Sequence, residues 1–302
     1  MADNPTIRQM IDTVFQALQS AGLAYGHGTD NPWDEAVALV LPVLNLPFHV
    51  DDNTLNRELT DDELKQILYV LDRRISEKIP LAYLTKQTFF AGLSFYVDRR
   101  VMIPRSPIAE LIEDSFQPWI KTENINTILD MCTGSGCIAI ACAKHFSQVV
   151  VDAVDLSDDA LSVAKMNIER HQVENQVNLI KSNLFDKLVN KQYDIIISNP
   201  PYVSYEEMSA LPKEYFHEPD LALRAGDDGL EFVLRILRDA ADYLTPHGVL
   251  IVEVGNSQAA LEERLPNVPF LWLEFARGGQ GVFLLTAAQL KASQFSLANL
   301  AK

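Results

Sequence analysis

The sequence predicts an α/β protein: a seven-stranded, doubly wound sheet, preceded by a small helical domain and joined to it by a β hairpin. Three observations predict this. The first eighty residues carry apolar side chains at helical spacing, with cap signals and no strand texture. Residues 81–105 switch to aromatic and β-branched residues. From about Ile125, seven short apolar runs alternate with helical segments, the pattern of a largely parallel sheet covered on both faces. The chain divides accordingly into residues 1–80, 81–105 and 106–302. Its 302 residues can bury a large core without disulfide or metal staples.

Asn4-Pro5 reads as a helix start with proline in the first turn. Ile7, Ile11, Val14, Phe15 and Leu18 follow on one stripe. Asn31-Pro32 is a second such start, and its helix, Trp33 to Leu41, is expected to stop at Pro42. Trp33, alone after a cap, reads as a core residue, with a surface role in substrate recognition over Tyr25–Glu35 as the other reading. Thr60-Asp61-Asp62-Glu63 has capping-box spacing, with Leu64, Ile67, Leu68, Leu71 and Ile75 on one face behind it and Pro80 beyond its end. Thr88-Phe89-Phe90 and Phe95-Tyr96-Val97 flank Gly92 and predict the hairpin, followed by Val101-Met102-Ile103. The strand runs span 127–131, 149–154, 177–180, 194–198, 249–254, 270–273 and 281–285. Helices are expected over 137–145, 158–171, 230–243 and 257–265. The last two runs lie too close together for a long helix, so an antiparallel edge is predicted there.

Acidic residues outnumber basic ones 41 to 25, a formal net charge of −16. Through Arg105 the count is 14 acidic to 10 basic, and beyond it 27 to 15. Such a balance argues against direct nucleic-acid binding, which needs a concentrated basic surface. An acidic second half suits a basic partner attracted from a distance, or simply solubility. Met1-Ala2-Asp3-Asn4-Pro5 shows no basic n-region and no apolar h-region, so no secretory signal is expected. The longest apolar stretch, Ala36 to Leu44, is broken by Pro42 and too short to span a bilayer, so no membrane association is expected. Cys132, Cys137 and Cys142, at steps of five, fit neither a zinc pattern nor a disulfide framework. A reduced, cytoplasmic protein without a metal site is the expectation.

Ligands of open α/β sheets bind beyond the carboxyl ends of the strands, and four features stand at such ends here. Asp130-Met131-Cys132-Thr133-Gly134-Ser135-Gly136 follows the first strand; glycines 134 and 136 allow a tight turn and close backbone approach to a ligand, or a strand-to-helix turn and nothing more. Asp155 closes the second strand, where a carboxylate can accept both hydroxyls of a ribose; the other reading is a helix cap, for which Ser157 is better placed. Asp152, one face away, is expected to point elsewhere. Ser182-Asn183-Leu184-Phe185 follows the third strand, either as a lip for an adenine ring, with the Asn183 oxygen accepting from its amine, or as a surface turn. Asn199-Pro200-Pro201-Tyr202 follows the fourth. Its two prolines remove two backbone donors and stiffen the turn, leaving carbonyls free to face a ligand. An Asn-Pro turn alone is common, but here it stands beside a glycine loop and a strand-end carboxylate.

The order of these motifs resembles the class I S-adenosylmethionine-dependent methyltransferases, and Asn199-Pro200-Pro201-Tyr202 resembles the signature of those that methylate planar amide or amino nitrogens. The chain is most similar to the protein glutamine methyltransferase family, over nearly its whole length. Residues 25–36 (Tyr25-Gly26-His27 onward), Ile103-Pro104-Arg105-Ser106-Pro107-Ile108-Ala109-Glu110-Leu111 and His217-Glu218-Pro219-Asp220-Leu221-Ala222-Leu223 resemble the branch whose substrate is the third large-subunit ribosomal protein (uL-three), a basic protein. The release-factor branch carries Pro-Arg-Pro-x-Thr-Glu where this chain has Pro104-Arg105-Ser106-Pro107-Ile108-Ala109, with the acid displaced to Glu110. That departure argues against a release factor as substrate.

The resemblance implies a Rossmann-like sheet, S-adenosyl-L-methionine as cofactor and an N-terminal domain for substrate recognition. It implies cofactor contacts from Asp130, Cys132, Thr133, Gly134, Ser135, Gly136, Asp155, Asn183, Leu184 and Asn199. It implies Asn199, Pro200, Pro201 and Tyr202 as the residues that hold the target glutamine. Asn183 stands where the family often has Asp, and Leu184 replaces an aromatic residue of the release-factor branch. The Asn199 oxygen and the Pro200 carbonyl are expected to accept the two amide N–H groups, with Tyr202 flat on the amide plane and Pro201 shaping the turn. No dedicated base is required, and His217 is expected in a structural hydrogen bond. The rival readings are a release-factor glutamine methyltransferase, an amino-methyltransferase acting on adenine or guanine in nucleic acid, and a non-catalytic cofactor-binding module.

Overall fold

The computed structural model describes residues 4–297. Met1–Asp3, on which part of the signal-peptide expectation rests, lie outside the described residues. The N-terminal helical region comprises α1 (Ile7–Ser20), α2 (Pro32–Val43), the short α3 (Asp52–Leu55), α4 (Asp61–Ser76) and α5 (Leu81–Thr85). The start of α1 corrects the sequence reading: Thr6, not Asn4, is its cap. The Thr6 hydroxyl accepts from the Gln9 amide, and the Gln9 side chain accepts from the Thr6 amide. That reciprocal pair satisfies two helix-end groups where Asn4-Pro5 would satisfy one, and Asn4 instead donates to Asp61 at 2.9 Å.

Asn31 caps α2 as expected, accepting from the Trp33 and Asp34 amides. The helix nevertheless runs through Pro42 to Val43. A proline so near the end costs one hydrogen bond, and Leu44 and Leu46 still donate to the Val40 and Leu41 carbonyls. Trp33 is 46% exposed and meets Phe15 edge-on at 5.5 Å, so it is not a core residue. The capping box of α4 forms on Thr60 and Glu63. Ile67 and Leu71 are buried on its inner face, but Leu68 is 45% exposed, while Arg74 is buried. The helices enclose their own apolar core, centred on Ile7, Val14, Leu39, Val40 and Ile67.

The hairpin pairs β1 (Thr88–Phe90) antiparallel with β2 (Leu93–Phe95). Beyond it, Val101-Met102-Ile103 forms no strand, and α6 (Ile108–Glu113) leads into the sheet. The sheet consists of β3 (Thr127–Met131), β4 (Val150–Asp155), β5 (Val177–Lys181), β6 (Tyr193–Ser198), β7 (Leu244–Glu253), β8 (Leu271–Trp272) and β9 (Val282–Thr286). Its order is β5-β4-β3-β6-β7-β9-β8. The first five strands run parallel, and β9 pairs antiparallel with both β7 and β8. Helices α7 (Cys137–His145), α8 (Asp158–His171), α9 (Tyr205–Ala210), α10 (Glu231–Asp239), α11 (Gln258–Arg264), α12 (Ala287–Ala292) and α13 (Gln294–Leu297) complete the second half.

Alternation along the central strands creates two cores. In β6, Ile195 and Ile197 belong to the layer with α7 and the hairpin, whereas Ile196 belongs to the layer with α10. Strand order reverses between β3 and β6, so the loops after these strands diverge and open a crevice at their carboxyl ends. All four candidate motifs end there.

Candidate active site

The glycine loop leaves β3 with left-handed backbone at Cys132, Gly134 and Gly136 (φ +63°, +55° and +80°). Gly136 begins α7, and a Cβ there would lie 3.2 Å from the Ala164 side chain, so only glycine fits without strain. Asp130 stands beneath the loop: its Oδ2 accepts from the Thr133 hydroxyl at 2.5 Å and from the Ala139 amide at 3.0 Å. Burial pushes the Asp130 carboxyl up to about 7, and Asp130 Oδ1 has no hydrogen-bond partner. Asp130 therefore shapes the loop from behind.

Asp155 closes β4 and lines the crevice. Its Oδ2 accepts from the Gly134 amide and its Oδ1 from the Ser157 amide, both at 2.9 Å. Ser157, not Asp155, caps α8. Each Asp155 oxygen keeps a second acceptor position. Burial raises the Asp155 pKa against the opposing pull of these amides. Asp152 faces elsewhere, pairing with Lys191 and with the Tyr193 hydroxyl at 2.7 Å. Asn183 lines the crevice, but its side-chain oxygen already accepts from Arg235 at 3.0 Å. Leu184 supplies a buried apolar wall beside it.

At the end of β6, Asn199 Oδ1 is buried without a hydrogen-bond partner, and Asn199 lines the crevice together with Pro201. A buried amide oxygen left unmatched is costly unless a ligand supplies the donor. Tyr202 was expected on the amide plane. The structure places it outside the residues lining the crevice, its hydroxyl donating to Glu253 Oε1 at 3.0 Å. A Cβ at Gly255, itself at φ +47°, would lie 2.6 Å from the Tyr202 ring, so the glycine makes room for it. The crevice thus gathers Cys132, Thr133, Gly134, Ser135, Asp155, Asn183, Leu184, Asn199 and Pro201; Asp130, Gly136, Pro200 and Tyr202 stand behind that surface.

A match to the methyltransferase small domain covers residues 116–228, which contain all of these motifs. The chain is 48% identical over 286 residues to the ribosomal protein uL3 glutamine methyltransferase of Francisella tularensis, covering 94% of this chain and 91% of that protein. It is likewise 48% identical over 286 residues to the protein of that name from Neisseria gonorrhoeae, covering 94% and 95%. The chain belongs to the uL3 glutamine methyltransferase family. Among solved structures, the hMettl16 catalytic domain in complex with a 3′UTR hairpin superposes with a TM-score of 0.51 at 20% identity, covering 79% of this chain and 86% of that one. That likeness concerns the fold alone.

In this methyltransferase the three cysteines are free thiols. Burial pushes Cys137 up to about 12 and raises Cys132 and Cys142 well above the ordinary thiol range, so none is a thiolate at neutral pH. His217 donates from Nε2 to the Glu77 carbonyl at 3.0 Å, the structural bond expected of it. Two site-supporting residues escaped the sequence reading. Glu253, at the end of β7, accepts from Ser106 at 2.5 Å as well as from Tyr202, and burial raises its pKa. Asn167, on α8, bonds Tyr96 of the connector through both side-chain atoms and donates to the Ser135 carbonyl at 2.9 Å. An acid closing the apolar run of β7 was the available signal for Glu253; Asn167 offered none.

Proposed function

We propose that this methyltransferase transfers a methyl group from S-adenosyl-L-methionine to the side-chain amide nitrogen of a glutamine in ribosomal protein uL3. The observation that carries the reading is the buried, unpartnered side-chain oxygen of Asn199, a residue that lines the same crevice as the glycine loop and Asp155. The curated relatives' names supply the substrate. In this reading Gly134 and its neighbours approach the cofactor with bare backbone, Asp155 accepts from its ribose, and Leu184 walls its base. When bound, the cofactor supplies a sulfonium methyl as the electrophile.

An amide nitrogen is a poor nucleophile because its lone pair is delocalised into the carbonyl. Asn199 Oδ1 accepts one of its N–H bonds, which pushes electron density back onto nitrogen and helps to fix the direction of the lone pair. Positioning and fixed dipoles supply the acceleration. Pro201 shapes the turn, and Tyr202, held by Glu253, keeps it from rotating. The nitrogen becomes strongly acidic only as the carbon–nitrogen bond forms, so its proton passes to water or an acceptor carbonyl and no dedicated base is needed. Residues 1–80 serve substrate recognition, and the net acidity suits a basic ribosomal protein.

Mass spectrometry of uL3 from cells with and without this chain tests the reading. One methyl on a glutamine, present only when the chain is present and restored by the purified enzyme, is expected. An identical glutamine mass in both strains would overturn it.

A further inference from the structure

Besides the glycine loop, Asp155, Asn183 and Leu184, two segments wall the crevice: Pro104, Arg105 and Ser106 where the connector ends, and Pro219, Leu221 and Ala222 from the segment after the Asn199–Tyr202 turn. Glu218, buried between them, does not line the crevice. Its carboxylate accepts from Arg105 Nη1 at 2.6 Å and Nη2 at 2.8 Å, and from the Ile103 amide at 2.9 Å. A two-pronged charged bond of this kind fixes direction as well as distance.

The helical region holds the same segment from the other side. His27 Nε2 lies 3.9 Å from Glu218 Oε2. The His27 ring meets Tyr215 edge-on at 4.4 Å, and the Arg105 guanidinium lies over that Tyr215 ring at 5.3 Å. Four residues earlier, Glu214 accepts from the Ala24 amide at 3.0 Å and from Arg74 Nη1 at 3.3 Å. With His217 bonded to Glu77, residues 214–218 are gripped at three points immediately before the wall begins.

We propose that Glu218 is a positioning residue for methyl transfer: it locks the two walls of the target channel together, and the helical region holds it in place. This rests on the glutamine-methylation reading. Glu218 touches neither cofactor loops nor the Asn199 oxygen, so it acts through Arg105 and the Pro219–Ala222 wall. Releasing it lets the walls shift relative to Asn199 and misaligns the amide, while the loops after β3, β4 and β5 stay in place.

The test is steady-state methylation of purified uL3 by the full chain, with cofactor affinity measured by calorimetry. Glu218→Gln preserves shape and removes charge. Since misplacement of about 1 Å costs up to ~100-fold, kcat is expected to fall at least about tenfold, with a smaller change in KM for uL3 and cofactor Kd within about twofold. Arg105→Gln combined with Glu218→Gln is expected to lose no more than the worse single variant, because the two act as a unit. Wild-type kcat in Glu218→Gln, an equal loss of cofactor affinity, or additive losses in the double variant would overturn the proposal. If Glu218→Gln does not fold, Arg105→Lys, which keeps charge but removes the fork, is judged by the same kcat and Kd criteria. Wild-type enzyme inactive on uL3 defeats the functional reading; active wild type with unaltered variants defeats only the positioning role.

Discussion

At Asn199 a buried amide oxygen ends a strand with nothing in the protein to donate to it. In the proposed mechanism its replacement by alanine removes one fixed acceptor from the reacting nitrogen, and Asn199→Ala is expected to lower kcat at least ~100-fold, measured with labelled cofactor and uL3. Near-full turnover would remove Asn199 from the mechanism. Asp155→Ala is expected to weaken cofactor binding first, read by calorimetry, since its oxygens hold the Gly134 and Ser157 amides at the proposed ribose position. Two buried titrating groups pull stability in opposite directions. The folded protein raises Asp130 from 3.8 to about 7, so its contribution is full below about pH 4 and is lost as pH rises through 7. It lowers His27 from 6.5 to about 4, so that contribution is full above pH 6.5 and is lost as pH falls through 4. Asp130→Asn deletes the first effect alone. Its Tm relative to wild type is therefore expected to climb between pH 4 and pH 8, and a constant difference would refute the assignment.

The loops are shaped by the elements they join. β6 delivers Asn199 because three consecutive isoleucines anchor it in both cores at once, and Ser198, the last strand residue, donates to the Met131 carbonyl at 2.8 Å. The turn that follows is held by its neighbours: Ser257 donates to the Tyr202 carbonyl and Glu253 receives the Tyr202 hydroxyl. The β3–α7 loop depends in the same way on the packing of α7 against α8. Gly136→Ala forces a side chain into left-handed backbone and against Ala164 and Ile140. It is expected to cost about 1–2 kcal/mol in denaturant unfolding and to weaken cofactor binding in parallel. Unchanged stability would mean that the loop relaxes freely.

Across the whole molecule, one buried cation ties the helical region to the catalytic half. Arg74 reaches Glu35 at 2.5 Å, Glu214 at 3.3 Å and the Ala24 carbonyl at 3.0 Å. Removing it strands two buried carboxylates, and Arg74→Ala is expected to cost about 3–5 kcal/mol in equilibrium unfolding. A loss below about 1 kcal/mol, the range of exposed pairs, would show that the junction is wetter than its burial implies. The Tyr25–Glu35 stretch, read from sequence as a candidate recognition surface, puts His27 and Glu35 inside this junction.

The sequence by itself determined the alternation of strand and helix, the antiparallel edge and the placement of four motifs at strand ends, because periodicity, caps and prolines act over a few residues. It also singled out Asn199, whose side-chain oxygen the fold buries without a partner. Only the tertiary structure decided that Tyr202 is turned to Glu253, that Asn183 is taken by Arg235, that Leu68 faces solvent while Arg74 is buried, and that Arg105 meets Glu218. The paired residues stand 51 or more positions apart, and the partners that bury Arg74 stand 39 or more positions from it. A side chain's partner at that distance is fixed by packing and charge compensation across the folded molecule, which leave no local pattern in the chain.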